Sequence, residues 1–229
     1  MDYVGTELEL FQYAVNWKRY WSAAVAPYVS GGVLDVGSGI GANASHLWNE
    51  RITSYTFLEP DAGLLARTNS ASLPPGASVH SIHGTTRDVA GTLFDTILYI
   101  DVLEHIEEPE DELNRAADLL APGGYLIILV PAFQILFSPF DEAVGHHRRY
   151  DRGMLRKQLP HGLEQRMLCY MDSVGLLLSL GNRLLLSRAA PTVEQIRFWD
   201  TRIIPLSRSM DPLIGRSFGR SLIGVYRRG

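Results

Sequence analysis

Val33-Leu34-Asp35-Val36-Gly37-Ser38-Gly39-Ile40-Gly41 is an apolar, β-rich run that carries one acid and then breaks into alternating glycines. Residues without a Cβ let the backbone come close to a ligand, and the helix after such a turn presents its free N–H groups toward it. The stretch therefore predicts the first strand and turn of a nucleotide-type α/β domain with a cofactor at the turn. Gly37-x-Gly39-x-x-Ala42 also satisfies the loose dinucleotide spacing, which by itself is a weak signal.

Asp35 narrows the choice. A carboxylate two residues before the first glycine would repel a pyrophosphate but could pair with an ammonium group, and S-adenosylmethionine carries an ammonium and no phosphate. A second acid falls where a ribose needs one. Tyr55-Thr56-Phe57-Leu58-Glu59 is a short β-rich run that ends on Glu59, suited to accept hydrogen bonds from two ribose hydroxyls. Pro60 and Asp61 then open a helix, with Asp61 as its cap.

The rest of the chain alternates in the same way. Strands are expected near 33–36, 55–59, 79–82, 94–100 and 125–130 with helical stretches between them, which predicts a parallel, twisted sheet covered by helices on both faces. A first helix with aromatic and apolar residues at helical spacing is expected from about Glu7 to Tyr28, and another from Asp151 through Leu159. At 229 residues and 46% apolar content the chain suits a single α/β domain, with residues 1–30 as a helical flank and about 171–215 as a helical insertion before the last strand. It shows no long apolar span and no basic signal segment, which predicts a cytoplasmic protein. Cys169 is the only cysteine, so an internal disulfide is excluded.

Four segments in order carry a resemblance: VLDVGSGIG, the FLEPD acid loop, the FDTILYIDVLEHI strand and turn, and LLAPGGYLIILVPA. From about residue 10 to 150 the chain resembles the class I S-adenosylmethionine-dependent methyltransferases, in the broad group of small-molecule enzymes. The resemblance implies a Rossmann-like sheet whose final strand, near Ser221 to Arg227, inserts antiparallel beside a sixth strand at 164–170. It implies adenine contacts from Gly84, Thr85 and Thr86, just after the third strand. It also implies an amino-terminal helix that closes over the ligands, where Tyr13 is the ring to test for contact. The cofactor set is then Tyr13, Asp35, Gly37, Ser38, Gly39, Glu59, Pro60, Gly84, Thr85, Thr86, Asp101 and Val102, with Asp101 at the carboxyl end of the fourth strand near the methionine part.

Substrate chemistry is sought after the fifth strand. Phe140-Asp141-Glu142-Ala143-Val144-Gly145-His146-His147-Arg148-Arg149-Tyr150 packs acids, imidazoles, guanidinia and a phenol into one loop. Methyl transfer is an in-line displacement at an activated carbon, so the protein must align the nucleophile and, for a hydroxyl, accept its proton. His146, His147 and His105 are the candidate catalytic residues, since imidazole titrates near neutral pH. The competing expectation is a structural turn in which Arg148 and Arg149 pair with Asp141, Glu142 or Asp151.

Asp101, Glu104 and His105 also resemble the acid-x-x-acid-His pattern of a metal-requiring quinone-pathway O-methyltransferase family. The same letters occur widely in methyltransferases described without a metal, so no metal is assigned. Asp101-Val102-Leu103-Glu104 lacks the prolines and aromatic used on flipped nucleic-acid bases, and the body of the chain is acidic, which argues against a nucleic-acid partner. From Arg183 onward nine arginines face three acids. The apolar stretch Asp172 to Ser187 could wall an apolar pocket, meet a membrane surface or lipid-linked substrate, form a homodimer face, or simply be core.

The sequence thus predicts methyl transfer from S-adenosylmethionine to a small-molecule acceptor, a hydroxyl oxygen of a sugar, lipid-linked or natural-product substrate. An N- or C-methyltransferase, a nicotinamide-dependent oxidoreductase and a non-catalytic cofactor-binding module are the alternatives.

Overall fold

The computed structural model describes residues 11–68, 73–185 and 191–229, apart from the side chains of 182–185. Seven strands form one sheet: β1 (Gly31–Val36), β2 (Ile52–Glu59), β3 (Val79–His83), β4 (Phe94–Ile100), β5 (Leu120–Pro131), β6 (Leu163–Met171) and β7 (Ser221–Arg228). Their order is β3-β2-β1-β4-β5-β7-β6. The first five run parallel, and β7 lies antiparallel between β5 and β6. Every expected strand is present, and the antiparallel last strand is where the resemblance implies it.

One expectation needs correction in extent. The fifth strand, expected near 125–130, begins at Leu120 and accommodates Ala121-Pro122-Gly123-Gly124 through a shift of register against β4. Gly124 is required there, because a Cβ would lie 2.9 Å from the Ala121 carbonyl oxygen and 3.0 Å from that of Asp95.

Period-two alternation along the strands gives each face its own core. On one face Val33, Tyr55, Phe57, Leu98, Ile127 and Ile223 pack under α1 (Val15–Val25) and α2 (Ala44–Leu47). On the other, Leu34, Leu58, Ile97, Tyr99 and Ile128 meet α4 (Pro109–Leu119) and α6 (Arg152–Gln158), which contribute Leu113, Ala116 and Leu155. Two short helices, α3 (Ala62–Ala66) and α5 (Pro139–Ala143), sit in connections at the carboxyl edge.

The stretch before β7 forms α7 (Ser173–Leu185), α8 (Val193–Phe198), a π-helical turn at Trp199–Ile203 and α9 (Ile204–Leu213). Its Ile196, Trp199, Ile203 and Ile204 belong to the same core as Trp17, Tyr20 and Trp21 of α1. The expected first helix is described from Val15; Glu7 to Leu10 lie outside the described residues. The apolar stretch is divided: Leu176 of α7 is buried, Leu177 and Leu178 are exposed, and the side chains of Leu184 to Leu186 lie outside the described residues.

Candidate active site

Because β7 runs backwards, its first residue stands at the same edge as the carboxyl ends of the parallel strands. That edge gathers the residues with the least ordinary backbone. Gly37, Gly39 and Gly41 have φ of +61°, +55° and +72°, and three non-glycine residues also adopt positive φ there: Asp101 after β4, Phe133 after β5 and Asp172 after β6. Left-handed backbone at a non-glycine residue costs about 1 kcal/mol or more, and it concentrates at functional edges.

The glycine loop is built to approach a ligand. A Cβ on Gly37 would fall 2.8 Å from Val102, and one on Gly41 would fall 2.8 Å from Thr68 and 3.1 Å from Phe57. Inside the loop the Ser38 hydroxyl is buried without a hydrogen-bond partner. Glu59 reaches back from β2 and secures the loop, accepting the Gly39 N–H at 2.8 Å and the Asp61 N–H at 2.9 Å with different oxygens. Each oxygen keeps a further lone pair for a ribose hydroxyl. Asp61 caps α3 through the Leu64 N–H, as expected, and the Pro60 carbonyl is bonded to His83. The tight glycine cradle, the orphaned serine hydroxyl and the anchored acid fit an adenosyl cofactor.

Asp35 is placed differently from a simple ion-pair partner. It is 1% exposed, accepts the Tyr55 hydroxyl at 2.9 Å, and burial pushes its carboxyl up to about 7. Gly84 follows β3 with its N–H on the Glu59 carbonyl, and Thr85 makes a capping box with Asp88. The buried hydroxyl of Thr86 donates to Glu112, which also accepts from Tyr99 and Arg115, a network inside the second core. Tyr13 is 41% exposed, with Arg197 of α8 stacked 4.9 Å from its ring centroid.

Past β4, the loop 140–150 folds back over Asp101–His105. The His147 N–H donates to the Glu104 carbonyl, and the Tyr150 hydroxyl to that of Leu103. Asp141 is fully buried and holds Arg149 in a two-pronged bridge, at 2.9 and 3.0 Å, while Ser138 also donates to it. These donors outweigh its desolvation and keep its carboxyl well below the usual range. Because that carboxylate can only accept, the His146 Nδ1 at 2.9 Å donates to it, and Nε2 lies 3.9 Å from Glu104 Oε1. His105 stands edge-on to His146, with ring centroids 4.6 Å apart. Burial and the neighbouring imidazole lower it to about 4.

The structure thus brings His105 and His146 together and leaves His147 exposed beside them. It also realises the structural-turn expectation for Arg149, but Arg148 reaches the Glu107 carbonyl instead. Two cations were not singled out from the sequence. Lys18 of α1 is buried, with desolvation lowering its pKa against the pull of Asp101 and Asp200. Arg220, just before β7, lies over the Trp199 ring at 5.3 Å and feels Asp172, Asp141 and Asp101. No local pattern marks either residue; only the reversed direction of β7 brings Arg220 to this edge.

The comparisons with known proteins bear on the family and the fold. Residues 15–177 match the family model described as a methyltransferase domain. A ubiquinone biosynthesis O-methyltransferase of Pectobacterium atrosepticum is 30% identical over 97 residues, 41% of this chain and 40% of that protein. An uncharacterized Synechococcus protein is 31% identical over 130 residues, 51% of this chain and 31% of its own length. The matches therefore span well under half of these relatives. Among solved structures, N-methyltransferase NodS from Bradyrhizobium japonicum, in complex with S-adenosyl-L-homocysteine, shares the fold at a TM-score of 0.56 and 12% identity, over 93% of this chain and 85% of that one. The [4+2]-cyclase SpnF does so at 0.60 and 18%, over 92% and 80%. With its glycine cradle and matched segment in agreement, the chain belongs to the methyltransferase domain family, and its cofactor is S-adenosylmethionine.

Proposed function

We propose that this protein transfers the methyl group of S-adenosylmethionine to a hydroxyl oxygen of a small-molecule acceptor, of the sugar, lipid-linked or natural-product kind. One observation carries the reading: imidazoles from two separate segments, His105 after β4 and His146 after β5, converge at the carboxyl edge beside Asp101, next to the glycine cradle. When bound, the cofactor supplies a methyl group already activated by its positive sulfur. The protein's part is to hold Glu59 and the loop against the adenosyl group and to set the acceptor oxygen against the Glu104, His105 and His146 side chains. There His146, whose Nδ1 is engaged by Asp141, would take the hydroxyl proton on Nε2 as the oxygen accepts the methyl group and the electron pair of the former C–S bond stays on sulfur.

Amine nucleophiles need far less help with a proton, so a site with two converging imidazoles supports oxygen over nitrogen. Exposed Leu177 and Leu178 on α7, with Leu206, Met210 and Leu213 on α9, support an acceptor with an apolar part. No helix among the described residues is long and apolar enough to cross a membrane.

The test is a panel of hydroxylated acceptors incubated with methyl-labelled S-adenosylmethionine, with products read by mass and by the methyl carbon resonance. A labelled methoxy group supports the reading. Label on nitrogen or carbon would move the assignment to the alternative acceptor class, and nicotinamide binding in place of S-adenosylhomocysteine would overturn it.

A further inference from the structure

Arg220 carries more donors than the fold uses. Among the described residues its guanidinium meets no hydrogen-bond acceptor and no ion-pair partner, and it lies over the Trp199 ring, 5.3 Å from the centroid. The residue is nonetheless largely buried, and desolvation is the leading influence on its pKa, which it lowers. A cation withdrawn from water is ordinarily paired, because leaving it alone is costly. Its neighbours are spent on one another. Arg149 is bridged to Asp141, and Arg152 donates to the Arg216 carbonyl. Asp172 accepts from the Trp199 indole, the Ser207 hydroxyl and the Gly175 N–H. Asp172 and Asp141 thus act on Arg220 through space without bonding it.

The backbone fixes where this guanidinium stands. Arg220 donates its N–H to the Asp172 carbonyl at 3.0 Å and accepts the Ala132 N–H at 2.8 Å, so it is pinned between the ends of β5 and β6. The residue before it must be glycine, because a Cβ on Gly219 would run into the Met171 backbone. With the Trp199 ring behind it, the guanidinium can offer paired N–H groups to a planar anion with two oxygens.

We propose that Arg220 recognises a carboxylate carried by the acceptor. Position selects the acceptor over the cofactor. β7 stands three strands from β1 in the sheet, about 14 Å at the usual strand spacing, and the loop that bears His146 reaches Arg220 through the charges of Asp141 and Arg149. The cradle has a cation of its own, since Lys18 of α1 acts on His46 of α2, the helix that follows the glycine loop. Charge selects a carboxylate over a phosphate. Asp172, Asp141 and Asp101 all act on Arg220, so a single negative charge enters at less cost than a double one.

The role rests on the reading above, that a small-molecule acceptor occupies this end of the edge. It narrows that acceptor to a hydroxy acid, with its hydroxyl toward His146 and its carboxylate toward Arg220.

The experiment uses the full chain loaded with S-adenosylhomocysteine, with benzoate as the probe and benzamide as its uncharged match. Binding is followed by saturation-transfer NMR and by the shift of the Trp199 indole N–H resonance. Benzoate should bind saturably and move that resonance, and benzamide should bind at least about tenfold more weakly. Arg220→Gln should weaken benzoate by about tenfold or more, and Arg220→Lys, which keeps the charge but not the fork, should recover part of the loss. Both variants should hold S-adenosylhomocysteine within about threefold of wild type in calorimetry, and the Trp199 shift tests the wild type even where a variant fails to fold. The assignment would be overturned by any of four results: no saturable benzoate binding, an unmoved Trp199 resonance, benzamide or inorganic phosphate binding as tightly as benzoate, or benzoate affinity unchanged in Arg220→Gln. A tenfold loss of S-adenosylhomocysteine affinity in Arg220→Gln would also overturn it, by giving Arg220 to the carboxylate of the cofactor. Methyl label found on nitrogen would instead strike the proposed function and leave the carboxylate site standing.

Discussion

The two ends of the carboxyl edge are held together by different means. Around β1 to β3 the site is made by neighbours in sequence: Glu59 bonds Gly39 across 20 residues, Asp61 caps the helix three residues on, and Thr85 and Asp88 cap each other. Around β5 to β7 it is made by buried carboxylates that satisfy backbone from far away. Asp200 takes the Asn16 and Trp17 N–H groups at 3.0 and 2.8 Å from 184 and 183 residues off, in place of a local cap for α1. Asp211 takes the Tyr20 hydroxyl across 191 residues together with the Asp172 and Ser173 N–H groups. Asp172 takes the Trp199 indole and the Ser207 hydroxyl. The cofactor end is thus locally encoded, whereas the acceptor end depends on the insertion and α1 docking as a unit.

That difference predicts where the molecule is fragile. Asp211→Ala strands four buried donors at once, counting the Ser173 hydroxyl, and should cost about 3–5 kcal/mol in urea unfolding. The comparison would break if the loss were under about 1 kcal/mol, for then the long-range carboxylates would be dispensable.

At the cofactor end the expected loss is one of binding. Glu59→Ala frees the Gly39 and Asp61 N–H groups and deletes the proposed ribose acceptor, so S-adenosylhomocysteine affinity should fall about 30- to 100-fold, roughly 2–3 kcal/mol, in calorimetry. An affinity within threefold of wild type would mean that the loop holds its shape without its acid.

The contrast also explains what could be read in advance. Strands alternate and glycine turns are contiguous, so the strands and the cradle follow from short windows of sequence, whereas the antiparallel last strand followed from the resemblance. The second half hid its logic because Asp172, Asp200 and Asp211 look like ordinary surface acids until the fold brings Tyr20, Trp17 and Trp199 to them. His105 and His146 were visible as residue types, but their meeting depends on how the loop 140–150 folds back, with Ser138 capping α5, Asp141 completing the capping box and the same Asp141 anchoring Arg149. The Thr86 hydroxyl bond to Glu112 was not legible either, because a threonine in a loop gives no sign of which face its hydroxyl will choose.

Proton linkage separates the ends by sign. His105, lowered to about 4, stays neutral in the native state where the unfolded chain is protonated. Its contribution is present above about pH 6.5 and is lost as the pH falls toward 4, on the order of 1–2 kcal/mol at pH 5. Asp35, raised to about 7, acts the other way: its contribution is full below about pH 4 and is lost as the pH rises toward 7. Unfolding free energies measured from pH 4 to 7 should therefore rise less steeply with pH in His105→Asn and more steeply in Asp35→Asn. Parallel shifts in both variants would remove the distinction.

The smallest effect belongs to the seam between the ends. Tyr13 precedes α1 and lies under Arg197 of α8, exposed to 41%, and an exposed cation–aromatic contact is worth about 0.5 kcal/mol. Tyr13→Ala should therefore lower stability by about that much and leave S-adenosylhomocysteine affinity within twofold, because the ring is committed to the insertion rather than to the cradle. A tenfold loss of affinity would show α1 closing over the cofactor with Tyr13 turned inward on binding. The locally encoded end would then borrow a residue from the docked unit, and the two halves of the edge would act as one.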